Sequence, residues 1–306
     1  MRVIRRQSVS LIACVFGLTA CTPQRAMIPS APTGPGLHVL FVGNSLTYVN
    51  DLPAIFEAMA DSGHQRLLET RAVAKPDYSL EDHWNDGDAR AAIAKGGWNV
   101  VVLQQGPSSL ETSRALLIDY VRRFDDPIRQ VGARTALYQV WPTSDRAADF
   151  PRANESYRLA ADAVHGILFP VGEAWLAAQR IDPSIPLYAF DGLHPSPEGS
   201  YLAALVMYAT LYSRSPLGLP ASLRLRNGSS FGVDGAVAAT LQAAAEQVTA
   251  ASRAQRWVPN AGGLQKPDAP CACAATSPPS KAALKTTRKV PVDWPRHSGW
   301  KATRIT

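Results

Sequence analysis

From Leu37 onward the sequence alternates short apolar runs with longer segments of helical periodicity. Short runs that are apolar throughout are typical of strands in a parallel sheet, because crossover helices cover both faces of such a sheet. The predicted strands are Leu37–Val42, Leu67–Ala74, Asn99–Leu103, Thr135–Trp141 and Ile167–Val171. The predicted helices lie near Pro53–Ala60, Leu80–Lys95, Leu110–Gln130, Ala153–Ala163, Glu173–Ile181, Glu198–Tyr212 and Gly235–Arg253. The alternation predicts an α/β fold with a mostly parallel five-stranded sheet between two layers of helices.

The length and the composition fit one globular domain. The chain has 306 residues, of which 46% are hydrophobic and 18% are charged, and this balance is ordinary for a folded protein. The predicted domain covers residues 37–257. Residues 258–306 are rich in lysine, proline, serine and threonine, which predicts a disordered basic tail. The tail by itself carries a net charge of +6, equal to that of the whole chain, so the domain gives no sign of a nucleic-acid partner.

The amino terminus is typical of an export signal. Arginines at positions 2, 5 and 6 precede an apolar run that is too short to span a bilayer. The run ends in Leu-Thr-Ala-Cys at Cys21, which resembles the bacterial lipobox, where the signal is cut before a cysteine that receives lipids. The sequence therefore predicts a lipoprotein signal peptide over 1–20, a flexible tether over 21–36, and anchoring of the exported protein to a membrane of the bacterial cell envelope through Cys21. The alternative is an ordinary secretory signal with a coincidental cysteine.

A serine follows the first predicted strand. Ser45 lies just past the strand end, in a loop that leads to a helix. In open α/β sheets ligands bind at the carboxyl ends of the strands, and Gly43 permits a tight turn there. Ser45 is a candidate nucleophile if a base activates it. Without a base, a serine in such a loop is an ordinary capping or turn residue.

Three histidines follow an aspartate by three positions, and any of them could supply this base. The pairs are Asp61 and His64, Asp162 and His165, and Asp191 and His194. The first two histidines lie at predicted helix ends, where a cation suits the helix dipole. The third pair lies in a loop with Gly192 and before a helix that begins with proline. There the carboxylate can orient Nδ1 of His194 while Nε2 faces a serine, although Asp191 could instead cap the loop.

Two segments of the chain together carry a family resemblance. Residues 43–47, Gly-Asn-Ser-Leu-Thr, and residues 191–195, Asp-Gly-Leu-His-Pro, resemble the first and last sequence blocks of the SGNH (GDSL-like) hydrolases. The resemblance covers about residues 37–212. It implies a flavodoxin-like three-layer α/β/α fold, with Ser45 as nucleophile and oxyanion donor, Asp191 as the orienting carboxylate and His194 as acid and base.

The two middle blocks of that family supply a glycine N–H and an asparagine amide to the oxyanion hole, and this sequence departs from both. No glycine appears in residues 75–80, and Leu-Gln-Gln-Gly-Pro-Ser stands where the family has Gly-x-Asn-Asp. Because a glutamine amide can donate as an asparagine does, Gln104 and Gln105 are the candidate replacements. Their alternative role is an ordinary hydrogen bond at the strand end.

The resemblance implies a serine-dependent ester hydrolase that acts through an acyl-enzyme on a small acyl ester or an acylated carbohydrate. The alternative is a weak or inactive surface lipoprotein that binds glycan in the same cleft. The sequence has no Walker loop, dinucleotide-binding glycine motif, H-E-x-x-H motif or EF-hand. The predicted domain also has no cysteine for a zinc site. We therefore expect no cofactor and no metal.

Overall fold

The structure, a computed structural model, describes residues 29, 31 and 35–253. The predicted signal peptide, Cys21, most of the tether and the basic tail lie outside the described residues. The predicted end of the domain at residue 257 lies outside them as well. These assignments stay predictions.

Five parallel strands form the central sheet. They are β1 (Leu37–Gly43), β2 (Leu68–Ala74), β3 (Val100–Leu103), β4 (Arg134–Tyr138) and β5 (Ile167–Phe169). Their order across the sheet is β2-β1-β3-β4-β5, and every neighbouring pair is parallel. This flavodoxin-like order confirms the predicted fold class. The direction of winding reverses between β1 and β3, so a ligand-binding crevice is expected beyond the carboxyl ends of those two strands.

Helices pack on both faces of the sheet. Within the described residues they are α1 (Ser45–Tyr48), α2 (Leu52–Ser62), α3 (Leu80–Asp86), α4 (Asp88–Ala94), α5 (Glu111–Gln130), α6 (Phe150–Asp162), α7 (Val171–Ile181), α8 (Pro197–Tyr212) and α9 (Gly235–Arg253). Helices α2, α7, α8 and α9 pack together in one layer, and α3, α4, α5 and α6 form the other. Strands β1 and β3 are buried along their whole length, which explains their unbroken apolar sequences.

Several element boundaries differ from the sequence prediction. The helix predicted over Leu80–Lys95 is two helices, because Gly87 adopts a left-handed conformation (φ +88°) that ends α3 and precedes α4. Strand β4 stops at Tyr138 rather than Trp141. Strand β5 stops at Phe169 because Pro170, which has no N–H to donate to the sheet, begins the turn into α7.

A short antiparallel hairpin was not predicted. Its strands β6 (Ser222–Arg224) and β7 (Ser230–Gly232) have three residues each, too few for an alternating pattern to emerge. Among the described residues, no helix combines the length and the apolar character needed to cross a membrane.

Candidate active site

Ser45 is the first residue of the short helix that follows β1. Asn44 precedes this helix as its cap, and its Oδ1 accepts a hydrogen bond from the backbone N–H of Leu46 (3.1 Å). An asparagine cap satisfies one of the backbone donors that a helix start leaves without a partner. Strand, cap and helix therefore hold Ser45 at the carboxyl edge of the sheet, beside the reversal point between β1 and β3.

The turn before Ser45 is held by Gln104, the first residue after β3. Its Oε1 accepts hydrogen bonds from Asn44 N–H (2.9 Å) and from Thr47 Oγ1 (2.8 Å). Its Nε2 donates to Asn44 Oδ1 (2.9 Å) and to the carbonyl of Gln105 (2.7 Å). A Cβ atom at Gly43 would collide with Gln104 Oε1 and Thr47 Oγ1. Gly43 is therefore needed for the close approach of these side chains, rather than for the tight turn that the sequence suggested.

The Ser45 hydroxyl is buried and has no hydrogen-bond partner among the described residues. The residue is only 4% exposed. Two other buried serines at this edge, Ser79 and Ser108, have hydroxyl groups that are hydrogen-bonded within the protein. Because a buried polar group without a partner costs about 1–3 kcal/mol, such a group in a folded protein requires a physical explanation, and a catalytic role is one of them.

Asp191 and His194 form a hydrogen-bonded pair. Nδ1 of His194 lies 2.6 Å from Oδ2 of Asp191. The second carboxylate oxygen, Oδ1, accepts from the backbone N–H groups of Leu193 and His194, both at 3.0 Å. Burial by itself would raise the pKa of Asp191, but the hydrogen bonds from the His194 ring and these two N–H groups hold the pKa below its usual value. An ionised carboxylate can only accept, so Nδ1 must carry the proton and Nε2 is left as a base.

The loop that carries this pair is fixed to its surroundings. Nε1 of Trp141 donates to the carbonyl of Leu193 (3.0 Å), and the N–H of Ser144 donates to the carbonyl of Gly192 (2.8 Å). Gly192 is in the left-handed region (φ +67°), and a Cβ there would collide with Ser144 Oγ. Gly192 distinguished this loop in the sequence. The structure requires a glycine there because the backbone is left-handed and because Ser144 leaves no room for a Cβ atom.

The other two Asp–His pairs are arranged differently. Asp61 pairs with Arg226 through two contacts of 2.8 and 3.1 Å, and Asp162 lies 3.8 Å from an arginine one helix turn before it. Their histidines, His64 and His165, both have φ near +50° just beyond the ends of helices. These two histidines lie at helix ends, where the sequence placed them, and their aspartates bind arginines instead of the imidazole rings.

The two glutamine candidates for the oxyanion hole have different surroundings. Both amide hydrogens of Gln104 are donated to oxygens of the protein, which leaves none for a substrate. Gln105 uses one amide hydrogen, on Ser108 Oγ (2.8 Å), while its Oε1 is fixed by the N–H of Leu80 (3.1 Å). In the described part of the chain, two donors remain as candidates for an oxyanion. One is the second amide hydrogen of Gln105, and the other is the N–H of Ser45, which as first residue of a helix has no carbonyl acceptor in that helix.

Replacing Gln105 with methionine tests this assignment. Gln105→Met keeps the volume but removes the donor, so we expect kcat for an ester substrate to fall by about 10²–10³-fold with little change in KM. The matched control is Gln139→Met, which changes an equally buried glutamine after the neighbouring strand β4. The control is expected to lose some stability and keep its kcat. Equal kcat for wild type and Gln105→Met would remove Gln105 from the oxyanion hole.

Ser45 and His194 belong to the same edge of the sheet, but their side chains are not hydrogen-bonded to each other. Within the part of the chain that the structure describes, Ser45 Oγ makes no hydrogen bond, and this includes His194 Nε2. Such bonds often tighten only when substrate is bound. Asn50, five residues after Ser45, donates from Nδ2 to the carbonyl of Pro195 (3.0 Å), the residue after His194. The segment that carries Ser45 and Asn50 is called the nucleophile segment after its candidate role, and the loop that carries His194, residues 187–196, is called the base loop. The hydrogen bond from Asn50 brings the two into direct contact.

Several supporting contacts near Ser45 were not predicted from the sequence. His83 is fully buried under the turn before Ser45, with Nε2 2.7 Å from the carbonyl of Gly43, and burial lowers its pKa. Asn44, Gln104 and Asn50 contact residues far away along the chain. Spacing along the sequence gives no warning of such contacts. Among the described residues, no group of three or more His, Cys, Asp or Glu side chains could hold a metal ion.

No family model and no curated protein matches the sequence. Solved structures do match. A DUF4886 family protein from Bacteroides uniformis is 17% identical with a TM-score of 0.56, over 69% of this chain and 94% of that one. A proposed SGNH hydrolase from Slackia heliotrinireducens is 28% identical with a TM-score of 0.49, over 57% of this chain and 99% of that one. A lipase/acylhydrolase from Enterococcus faecalis is 15% identical with a TM-score of 0.46, over 58% of this chain and 96% of that one. The likeness to the Bacteroides protein is one of fold.

Proposed function

We propose that this protein is a carboxylic-ester hydrolase of the SGNH type, with Ser45 as nucleophile, His194 as general base and Asp191 as the residue that orients His194. The observation that carries the proposal is the 2.6 Å contact between His194 Nδ1 and Asp191 Oδ2. In the neutral ring this contact places the proton on Nδ1, so that Nε2 can accept a proton. The Ser45 hydroxyl, which is buried at the same sheet edge and has no hydrogen-bond partner in the described part of the chain, supplies a proton that such a base can take.

The reaction follows from these groups. His194 Nε2 takes the hydroxyl proton as Ser45 Oγ attacks the ester carbonyl, and Asp191 stabilises the imidazolium that forms. The negative charge that develops on the carbonyl oxygen is met by Ser45 N–H and by Nε2 of Gln105. His194 then gives the proton to the leaving alcohol. A water molecule activated by His194 hydrolyses the acyl-enzyme and restores the serine.

The substrate that we propose is a small acyl ester, with an acyl group on a carbohydrate as one form of it. The side chain of His194 is 29% exposed and that of Asp191 is 17% exposed, so an ester can reach the base from solvent. Release of acetate from acetylated xylan, compared with hydrolysis of p-nitrophenyl acetate, separates the carbohydrate ester from the simple one.

The function is tested with the purified protein and p-nitrophenyl acetate, with Ser45→Ala as the matched control. We expect turnover by the wild type and its loss in the variant. Equal rates for the two proteins would exclude Ser45 as nucleophile. They would leave the glycan-binding alternative, which a binding assay on an acylated polysaccharide would then address.

We also propose that the protein is exported and anchored through lipids on Cys21. The support is the arginine-flanked apolar run that ends at Cys21. Acyl chains on this cysteine would hold the domain at a membrane surface without a spanning helix. In a detergent phase separation of cells that make the protein, we expect it in the detergent phase and expect Cys21→Ser to move it out of that phase. A wild-type protein in the aqueous phase would contradict the lipid anchor.

A further inference from the structure

Asn50 is the residue through which the nucleophile segment contacts the base loop. It lies in a 3₁₀ helix of one turn, Val49–Asp51, that follows α1. Its Nδ2 donates one hydrogen bond to the carbonyl of Pro195 (3.0 Å) and another to Oγ of Ser200 in α8 (2.9 Å). These partners are 145 and 150 positions away along the chain. Both hydrogens of the amide are therefore used to join two segments that are distant in sequence.

The backbone of Asn50 is arranged for this contact. Its φ of 58° and ψ of 12° lie in the left-handed region, which costs most L-residues about 1–2 kcal/mol and which asparagine tolerates better than most. Glycine would relieve that cost completely, but it has no amide to donate. The left-handed turn and the two hydrogen bonds together account for an asparagine at this position.

The contact bears on catalysis because of where its two ends lie. Ser45 begins the helix that leads directly into this turn, and His194 is bonded covalently to Pro195. Proton transfer needs Ser45 Oγ and His194 Nε2 within hydrogen-bond reach, and a displacement of about 1 Å can cost about a hundredfold in rate. No hydrogen bond between Ser45 and His194 holds them at that separation in the described part of the chain.

We propose that Asn50 is a positioning residue whose amide fixes the base loop against the nucleophile segment and thereby sets the separation of His194 Nε2 from Ser45 Oγ. This inference rests on the proposed function of Ser45 and His194. The two amide hydrogens of Asn50 are donated to Pro195 and Ser200, not to Ser45 or His194. Its effect on rate is expected in kcat, because both of its amide hydrogens are donated within the protein and none is left for a substrate.

The test compares two glycine substitutions in the full protein. Asn50→Gly keeps the left-handed turn and removes only the amide, while Ser213→Gly makes the same backbone change at another left-handed residue (φ 52°), at the end of α8. For p-nitrophenyl acetate we expect Asn50→Gly to lower kcat by about 10–100-fold with KM within about threefold of wild type. Ser213→Gly is expected to keep both constants. Asn50→Asp, which has the same shape but no hydrogen to donate, is expected to reproduce the loss.

A second readout does not depend on turnover. Hydrogen exchange of the base loop, residues 187–196, reports its backbone bonds, such as Ala189 N–H to the His194 carbonyl (2.8 Å). We expect faster exchange in Asn50→Gly than in wild type or Ser213→Gly. Wild-type kcat in Asn50→Gly, or unchanged exchange of the loop, would overturn the positioning role. If the wild type shows no Ser45-dependent turnover, the proposed function fails, and the exchange measurement alone decides whether Asn50 fixes the loop.

Discussion

Ser45→Ala is expected to lower kcat for p-nitrophenyl acetate by about 10⁴–10⁶-fold and to leave the protein as stable as the wild type or slightly more stable. The loss follows because no other group supplies the attacking oxygen. The stability follows from the hydroxyl, which is buried and has no hydrogen-bond partner among the described residues. Removing it also removes the cost of burying it, about 1–3 kcal/mol for an unsatisfied polar group. Steady-state kinetics and thermal unfolding measure the two effects.

Ser79→Ala is the matched control, and it is expected to show the opposite behaviour. Ser79 is also a buried serine at this edge, but its Oγ accepts from the N–H of Asp82 (3.2 Å) in the cap of α3. Loss of such a cap costs about 0.5–2 kcal/mol, while the nucleophile is untouched. A fluorophosphonate should label Ser45 in this control and in the wild type. If Ser45→Ala were destabilised and Ser79→Ala inactive, the roles of the two serines would be exchanged.

The sequence was informative where one residue type has one physical reason to be present. Buried parallel strands must be apolar on both faces, so β1 and β3 were recognisable as unbroken runs. Among the three Asp–His pairs, Gly192 and the following helix that begins with proline distinguished the loop pair from the two helix ends. Of these three pairs, the structure joins carboxylate and imidazole only in the loop pair.

The sequence was uninformative where the outcome depends on the direction of a side chain. Gln104 and Gln105 are adjacent and identical, yet their amide groups have different partners. Gln104 donates to Asn44 and to the Gln105 carbonyl, whereas Gln105 donates one hydrogen to Ser108 Oγ. Successive side chains point in different directions as the chain leaves β3, and only the fold decides which of them meets Asn44. The role of Asn50 was hidden for the same reason, because its partners Pro195 and Ser200 become neighbours only after α8 has packed.

Asp191→Asn is expected to lower kcat by about 10⁴-fold near neutral pH while the fold is kept. The asparagine oxygen can still accept from the N–H groups of Leu193 and His194, as Oδ1 of Asp191 does now. Its amide nitrogen then faces His194 Nδ1 and can only donate to it. The proton of the neutral ring must move to Nε2, which can no longer accept a proton from Ser45.

Asp61→Asn and Asp162→Asn are the controls for this prediction. Each replaces an aspartate three positions before a histidine, but these carboxylates contact arginines, so wild-type kcat is expected for both. If Asp191→Asn kept more than about a tenth of the wild-type kcat, then Asp191 would not be setting the tautomer of His194.

The carboxylate of Asp191 makes the stability of the protein depend on pH. The direction of its pKa shift determines whether stability is lost at low or at high pH. Burial favours the neutral acid, but the hydrogen bonds from His194 and the loop N–H groups outweigh it, so the pKa of Asp191 in the folded protein lies below its unfolded value. A lowered pKa means that the ionised form stabilises the fold above the unfolded value of about 4. This contribution is lost as the pH falls through the folded pKa.

Urea unfolding at a series of pH values should therefore show the difference in unfolding free energy between wild type and Asp191→Asn shrinking below about pH 4. A difference that stayed constant down to the lowest pH would mean that the carboxylate is not held ionised by His194 and the loop.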